Sequence, residues 1–265
     1  MKYGYCTGFS TEPRFGLGLE FLDMIREAGF DYVEFPLMNF YEMPESEFSS
    51  VVEKTEKSDI KSLAACNFFP ADIKLVGKGI DVNKTASYLD SILPRLKRLG
   101  ILKIILGSGP SRTFGPEQTR KEAFDQFVGI LKDVILPRTK RAGMLVCIEP
   151  FDKTCCNLIV SASEGLELVR TVHDDGLEMM VDLFHMMSNG ESLDSLKSCV
   201  DHVRHVHIAG FNRRIPEESD EYVFNALNIL FKLGYEETVS FETEKPKTWK
   251  DASRALSKIK NLFGR

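Results

Sequence analysis

The stretch that decides the fold runs from Val181 to Arg214. It reads Val181-Asp182-Leu183-Phe184-His185-Met186-Met187, a short helical segment, then His205-Val206-His207-Ile208-Ala209-Gly210-Phe211-Asn212-Arg213-Arg214. Two apolar, strand-like runs each deliver a metal-type ligand near the C-terminal end. Asp182 follows Leu177-Glu178-Met179-Met180-Val181, and His207 sits near the end of Val203-Arg204-His205-Val206-His207-Ile208. A carboxylate with an imidazole suits a divalent cation such as Mn, Co, Zn or Mg. A parallel sheet brings such strand ends together although they are distant in sequence. Glu149 and Glu242, at the ends of two further runs, complete the expected set.

Outward from this stretch a punctuation recurs. A helical segment ends in Gly, and an apolar residue leads into a strand. It appears at Ala28-Gly29-Phe30, Leu99-Gly100-Ile101, Ala142-Gly143-Met144, Asp175-Gly176-Leu177 and Leu233-Gly234-Tyr235. Glycine after a helix takes the left-handed conformation at no steric cost. Strands are expected at about 3–6, 31–35, 60–66, 102–106, 144–149, 177–182, 203–208 and 238–242. Helical stripes lie between them. One carries Leu19, Leu22, Ile25 and Ala28; another carries Val82, Ala86, Leu89, Leu93 and Leu96, with a kink expected at Pro94. Pro116 suits the first turn of a long helix bearing Phe124, Phe127, Leu131 and Val134. Ser161-Ala162-Ser163-Glu164 reads as a capping box. Phe224, Leu227, Leu230 and Phe231 face the core before the last strand. Eight βα units predict an α/β fold, a (β/α)8 TIM barrel. An open doubly wound sheet is the competing arrangement, but no G-x-G-x-x-G follows a strand.

At 265 residues, 43% hydrophobic and 28% charged, the chain has the make-up of a soluble globular protein, expected to form one domain over 1–265. A formal charge of −5 and a pI near 5.7 argue against nucleic acid as a partner. No apolar run suits a membrane span or a signal peptide, so a cytoplasmic location is expected. Six cysteines lack Cys-x-x-Cys spacing and read as reduced thiols. A homo-oligomer is compatible with all of this.

Several strands finish on an acid: Glu34, Glu149, Asp182 and Glu242. An acid aimed into a barrel mouth is costly unless paired or metal-bound, and the C-terminal strand ends form the active face of such barrels. Four candidates on four consecutive strands, Glu149, Asp182, His207 and Glu242, point to one site. Glu34 stands alone on the second strand and is the weakest member. His205 and His207 share strand parity, so both could point into the barrel, His205 deeper. His173 and His202 carry no assigned role.

These residues also resemble a known family. The chain looks like the xylose isomerase-like TIM barrels, and within them the ketose 3-epimerases of the tagatose/allulose (psicose) type. The likeness covers nearly the whole chain. Its most specific parts are Asp182-x-x-His185-Met186 and His207-x5-Arg213 within Asn212-Arg213-Arg214-x-Pro216. It implies that Glu149, Asp182, His207 and Glu242 bind one divalent metal, commonly Mn or Co. It implies that both glutamates act as acid/base groups on opposite faces of a sugar carbon, and that His185 and Arg213 contact the sugar oxygens. Glu34 is expected on the substrate as well. The implied partner is a small-molecule sugar. Proton abstraction next to a carbonyl fits such residues, since a base, an acid and oxyanion stabilisation are all at hand.

One departure is plain. The epimerases carry a glutamate six residues after the fifth-strand glutamate, where this chain has Cys155. Asp152 could substitute from the same loop. The Glu217-Glu218-Ser219 segment also replaces a Gly-containing turn. A dehydratase of the inosose or dehydroshikimate kind, or a sugar-binding protein without catalysis, fits the same barrel. Arg213 and Arg214 together could clamp a phosphate, although no Gly-rich phosphate cradle is evident.

Overall fold

The computed structural model of the chain describes residues 1–262. Eight parallel strands close into a barrel in sequence order: β1 (Lys2–Cys6), β2 (Tyr32–Pro36), β3 (Lys61–Cys66), β4 (Lys103–Leu106), β5 (Leu145–Ile148), β6 (Leu177–Asp182), β7 (Val203–Ile208) and β8 (Thr238–Phe241). Helices connect them on the outside. The expected TIM barrel is therefore the observed fold, and the open sheet is excluded by the β1–β8 pairing of Gly4 with Ser240 and Tyr5 with Phe241.

Alternating side chains divide the strands between two environments. One set packs outward against the helices in a large apolar layer that includes Tyr5, Val33, Phe35, Ile104, Val146, Val181, Val206 and Phe241. The other set fills the barrel. Its apolar part is small: Cys6, Cys66, Ile105, Cys147 and Met180. The remaining inner positions are polar, among them Glu34, His205, His207 and Ser240, each fully buried. Gly4 lets this interior close. A Cβ there would lie 2.1 Å from the Tyr32 ring, so the ring crosses the space that glycine leaves.

Local expectations hold with identifiable exceptions. Gly29, Gly100, Gly143 and Gly234 sit at positive φ after helices. Gly176 does not; His173, at φ 49°, closes the helix Ala162–Val172, and the Gly176 N–H is taken by the Asp174 carboxylate at 2.8 Å. Pro116 lies outside the helix it was expected to open. That helix begins at Arg120, capped reciprocally by Thr119 and Glu122. It loosens into a π turn at Leu131–Ile135 before Leu136–Arg141, because Pro137 has no N–H for the preceding turn. Pro94 lies inside one continuous helix, Val82–Leu99. Ser161 caps its helix through the Glu164 N–H, but the Glu164 carboxylate returns to the Val160 N–H at 2.8 Å. Among the described residues no helix is long and apolar enough to cross a membrane.

Candidate active and metal site

β6 places Asp182 beside His207 of β7, and β7 in turn pairs His207 with Ser240 of β8. Glu149 and Glu242 fall one residue beyond β5 and β8. Their backbone N–H groups still bond Leu106 and Ile208 of the neighbouring strands, so both side chains stand at the barrel rim. One donor atom from each of Glu149, Asp182, His207 and Glu242 lies within 4.8 Å of the others, and all four residues are buried. His207 Nδ1 is 3.5 Å from Glu149 Oε1 and 3.5 Å from Glu242 Oε1. It has no hydrogen-bond partner despite full burial.

Burial pushes the Glu242 carboxyl up to about 7, against the lowering pull of Arg213 and His207. Burial would also raise Asp182, but the His185 and Arg213 charges outweigh it and hold that carboxyl below its usual range. Burial disfavours charge on His207, yet Glu34 and Glu242 hold its pKa well above normal. Glu242 and His207 thus both favour their protonated forms at one spot. Three carboxylates and one imidazole, with an unpartnered buried nitrogen aimed at them, fit a divalent cation.

Arg213 reaches the cluster from the loop after β7. It donates to Glu242 Oε2, and its second nitrogen lies 3.4 Å from Asp182 Oδ2 and 3.1 Å from His185 Nε2. Its guanidinium is held between the rings of Phe9 and Phe184, 4.4 and 4.3 Å from their centroids. Both Asn212 and Arg213 have φ of 54°, a left-handed pair without glycine. Such backbone persists only when its surroundings over-determine it. The Glu244 N–H contributes, donating to the Arg213 carbonyl at 2.7 Å.

His185 sits 2.7 Å from Asp152 through Nδ1. His185 Nε2 lies 3.1 Å from the Arg213 guanidinium and 3.4 Å from Asp182 Oδ2. Asp152 is lowered to about 2: burial would raise it, but hydrogen bonds from Thr154 and His185 prevail. Its carboxylate is engaged by those two partners. Cys155 lies 3.5 Å from Asp152 Oδ2 on the cavity wall.

Two expectations change. Glu34 does not line the cavity. It is fully buried one layer below, with Oε1 3.0 Å from His207 Nε2 and Oε2 accepting from Ser240 at 2.6 Å. β2 continues to Pro36, so Glu34 lies mid-strand and not at a strand end. Arg214 turns away from Arg213 and grips both oxygens of Asp220 at 2.8 and 3.0 Å, so the two arginines form no joint clamp. His205 lies deeper than His207, as its parity suggested, on Thr238 at 2.7 Å. His202 pairs with Glu178.

A cavity of about 440 Å³ opens above the cluster. Glu149, Glu242, His185 and Arg213 line it, with Phe9, Phe15, Met38, Phe69 and Phe151 as apolar walls and Asn67 and Ser108 as polar ones. Sequence reading missed these walls. Each lies just after a strand, which is the signal that was available. It also missed Arg112, which is fully buried and donates to the carbonyls of Gly107, Glu149 and Leu158 at 2.5, 2.8 and 3.0 Å.

Known proteins share this architecture. The family model described as "Xylose isomerase-like TIM barrel" matches residues 22–259. A D-psicose 3-epimerase of Agrobacterium fabrum is 21% identical over 203 residues, which is 74% of this chain and 68% of that one. The structure of D-psicose 3-epimerase with D-tagatose from Clostridium cellulolyticum superposes with a TM-score of 0.81 at 18% identity, covering 99% of both chains. The IOLI protein, solved with a zinc atom, superposes with a TM-score of 0.74 at 18% identity, covering 100% of this chain and 98% of that one. With nine-tenths of its length matched by that family model, the chain belongs to the xylose isomerase-like TIM barrel family.

Proposed function

We propose that this chain is a divalent-metal-dependent sugar epimerase or isomerase, moving a proton at a carbon next to a ketose carbonyl. One observation carries the reading: Glu149 and Glu242 both line the cavity, and each lies 3.5 Å from His207 Nδ1. The match to D-psicose 3-epimerases supports the same class. Glu149, Asp182, His207 and Glu242 would hold the ion, of Mn, Co, Zn or Mg type. When bound, such an ion polarises the substrate carbonyl and eases negative charge on its oxygen.

The chain's own groups then divide the work. One glutamate takes the hydrogen from the carbon on one face, and the other returns one on the opposite face of the enediolate. Arg213 is a fixed donor for the developing oxyanion. His185, oriented by Asp152, contacts a sugar hydroxyl. The apolar walls keep water off the enediolate, while the two glutamates exchange their protons with solvent between turnovers.

The substrate we favour is uncharged. Arg213 is the one cation among the cavity-lining residues, and Glu242 and Asp182 already engage it. A phosphorylated sugar would meet carboxylates with nothing to pair its charge. We read the chain as one domain. Six free cysteines among the described residues fit a reducing compartment such as the cytoplasm.

The test is turnover of a panel of free ketoses in heavy water with Mn or Co supplied. Deuterium should enter the inverted or isomerised carbon. Product formed without it would mean a direct hydride shift and would sink the two-glutamate reading. A product short of one water would make the protein a dehydratase.

A further inference from the structure

We infer that Glu34 selects which nitrogen of His207 faces the metal, so that Nδ1 and not Nε2 is the ligand. The inference rests on the metal-binding reading above and adds a positioning residue to it.

The argument is an account of donors. Glu34 Oε2 accepts from the Ser240 hydroxyl at 2.6 Å. Ser240 can give that hydrogen away because its lone pair lies 2.7 Å from the Tyr32 hydroxyl. A Ser240 that donates to Glu34 must accept from Tyr32. Among the described residues the other side chains beside the Glu34 carboxylate are histidines: His207 Nε2, hydrogen-bonded 3.0 Å from Oε1, and His205 Nε2, 3.1 Å from Oε2 but outside hydrogen-bond alignment. His205 is backed by Thr238 at 2.7 Å, and Lys103 donates to Thr238 at 3.1 Å. Behind each partner of Glu34 except His207, then, stands another group able to donate. The arrangement solvates a carboxylate anion within a fully buried layer.

An anion at Glu34 can only accept. His207 Nε2 must therefore carry a hydrogen, and Nδ1 is the nitrogen that can exchange its proton for a cation. Nδ1 is buried without a hydrogen-bond partner and faces Glu149 and Glu242. The reverse tautomer would aim an N–H at the place where a cation belongs. A carboxylate behind a metal-binding histidine also fixes the ring plane. Gly4 is part of the same device. Any side chain there would collide with the Tyr32 ring and displace the hydroxyl that frees Ser240 to donate.

Two measurements test this on the full chain. In zinc-loaded protein labelled with ¹⁵N-histidine, long-range ¹H–¹⁵N spectra should show His207 protonated at Nε2 and zinc-shifted at Nδ1. Mn²⁺ titration of Glu34→Gln should show affinity reduced by roughly 10- to 100-fold, since an amide also presents donors to its neighbours. Zinc bound through Nε2 of His207, or wild-type Mn²⁺ affinity in Glu34→Gln, overturns the inference and leaves the metal site standing. No zinc at His207 in the unmutated protein overturns the metal site itself. The spectrum of the unmutated protein decides the matter even if Glu34→Gln does not fold.

Discussion

Replacing Gly107 by alanine puts a methyl carbon 2.3 Å from Glu149 Oε2 and 2.6 Å from Phe151 Cζ. The backbone at Gly107 is not left-handed, so alanine is conformationally acceptable there. The conflict lies entirely with the two side chains. Ordinary contact needs roughly 1 Å more room. Phe151 cannot easily supply it, because Arg112 lies 5.1 Å from its ring centroid and is itself tied to three carbonyls. Glu149 is the group that gives, and it is 4% exposed, with only the cavity to enter. Overpacking of this kind costs about 1–3 kcal/mol of stability. For a chain of this length that lowers the melting temperature by roughly 2–4 °C per kcal/mol. The effect on catalysis is larger. A reacting group displaced by 1 Å loses on the order of 10²-fold in rate, or about 2.7 kcal/mol. Steady-state kinetics of Gly107→Ala with manganese, beside a thermal melt, measures both. Wild-type kcat/KM with an unchanged melt would show that Glu149 is not held where the reasoning requires.

Other outcomes follow from the same geometry. Arg213→Ala should reduce turnover more than metal affinity, because it removes an oxyanion donor and no ligand; equal losses in kinetics and Mn²⁺ titration would assign it to building the site. Glu149→Gln and Glu242→Gln should each lower kcat by at least 10²–10⁴-fold with the circular dichroism spectrum preserved, and near-normal turnover by either would exclude paired glutamates. Ketose phosphates should convert far more poorly than the free ketoses, measured as kcat/KM; preference for the phosphate would contradict an uncharged substrate. Chelation should abolish activity while the far-ultraviolet spectrum persists, and unfolding on chelation would contradict a fold held by its outer layer.

Most of the barrel was readable because every strand shows an apolar run and four of the eight are also announced by a glycine stop before them. Gly29, Gly100, Gly143 and Gly234 are those stops. The ligand candidates were readable for a related reason: acids are costly at strand ends unless something there needs them. Glu34 was misplaced because its strand continues two residues past it, to Pro36, and nothing local marks where pairing ends. Arg214 looked like Arg213 in sequence, yet Asp220, six residues on, captures it. The cavity walls were illegible for another reason. Phe9, Met38, Phe69 and Phe151 converge from loops after four different strands, and only closure of the barrel makes them neighbours.

The interior of the barrel has a bearing on how the protein matures. Among the described residues its buried apolar cluster is five side chains with Leu145 packed against them, while the helices and outer strand faces hold the large remainder of the core. Folding is therefore driven from outside the ring of strands, and the ring can close around its polar column with the rim still vacant. On the proposed reading, an ion would enter a receptacle already finished by folding, and two preparations of the same chain grown on different metals would differ in activity with no difference in fold.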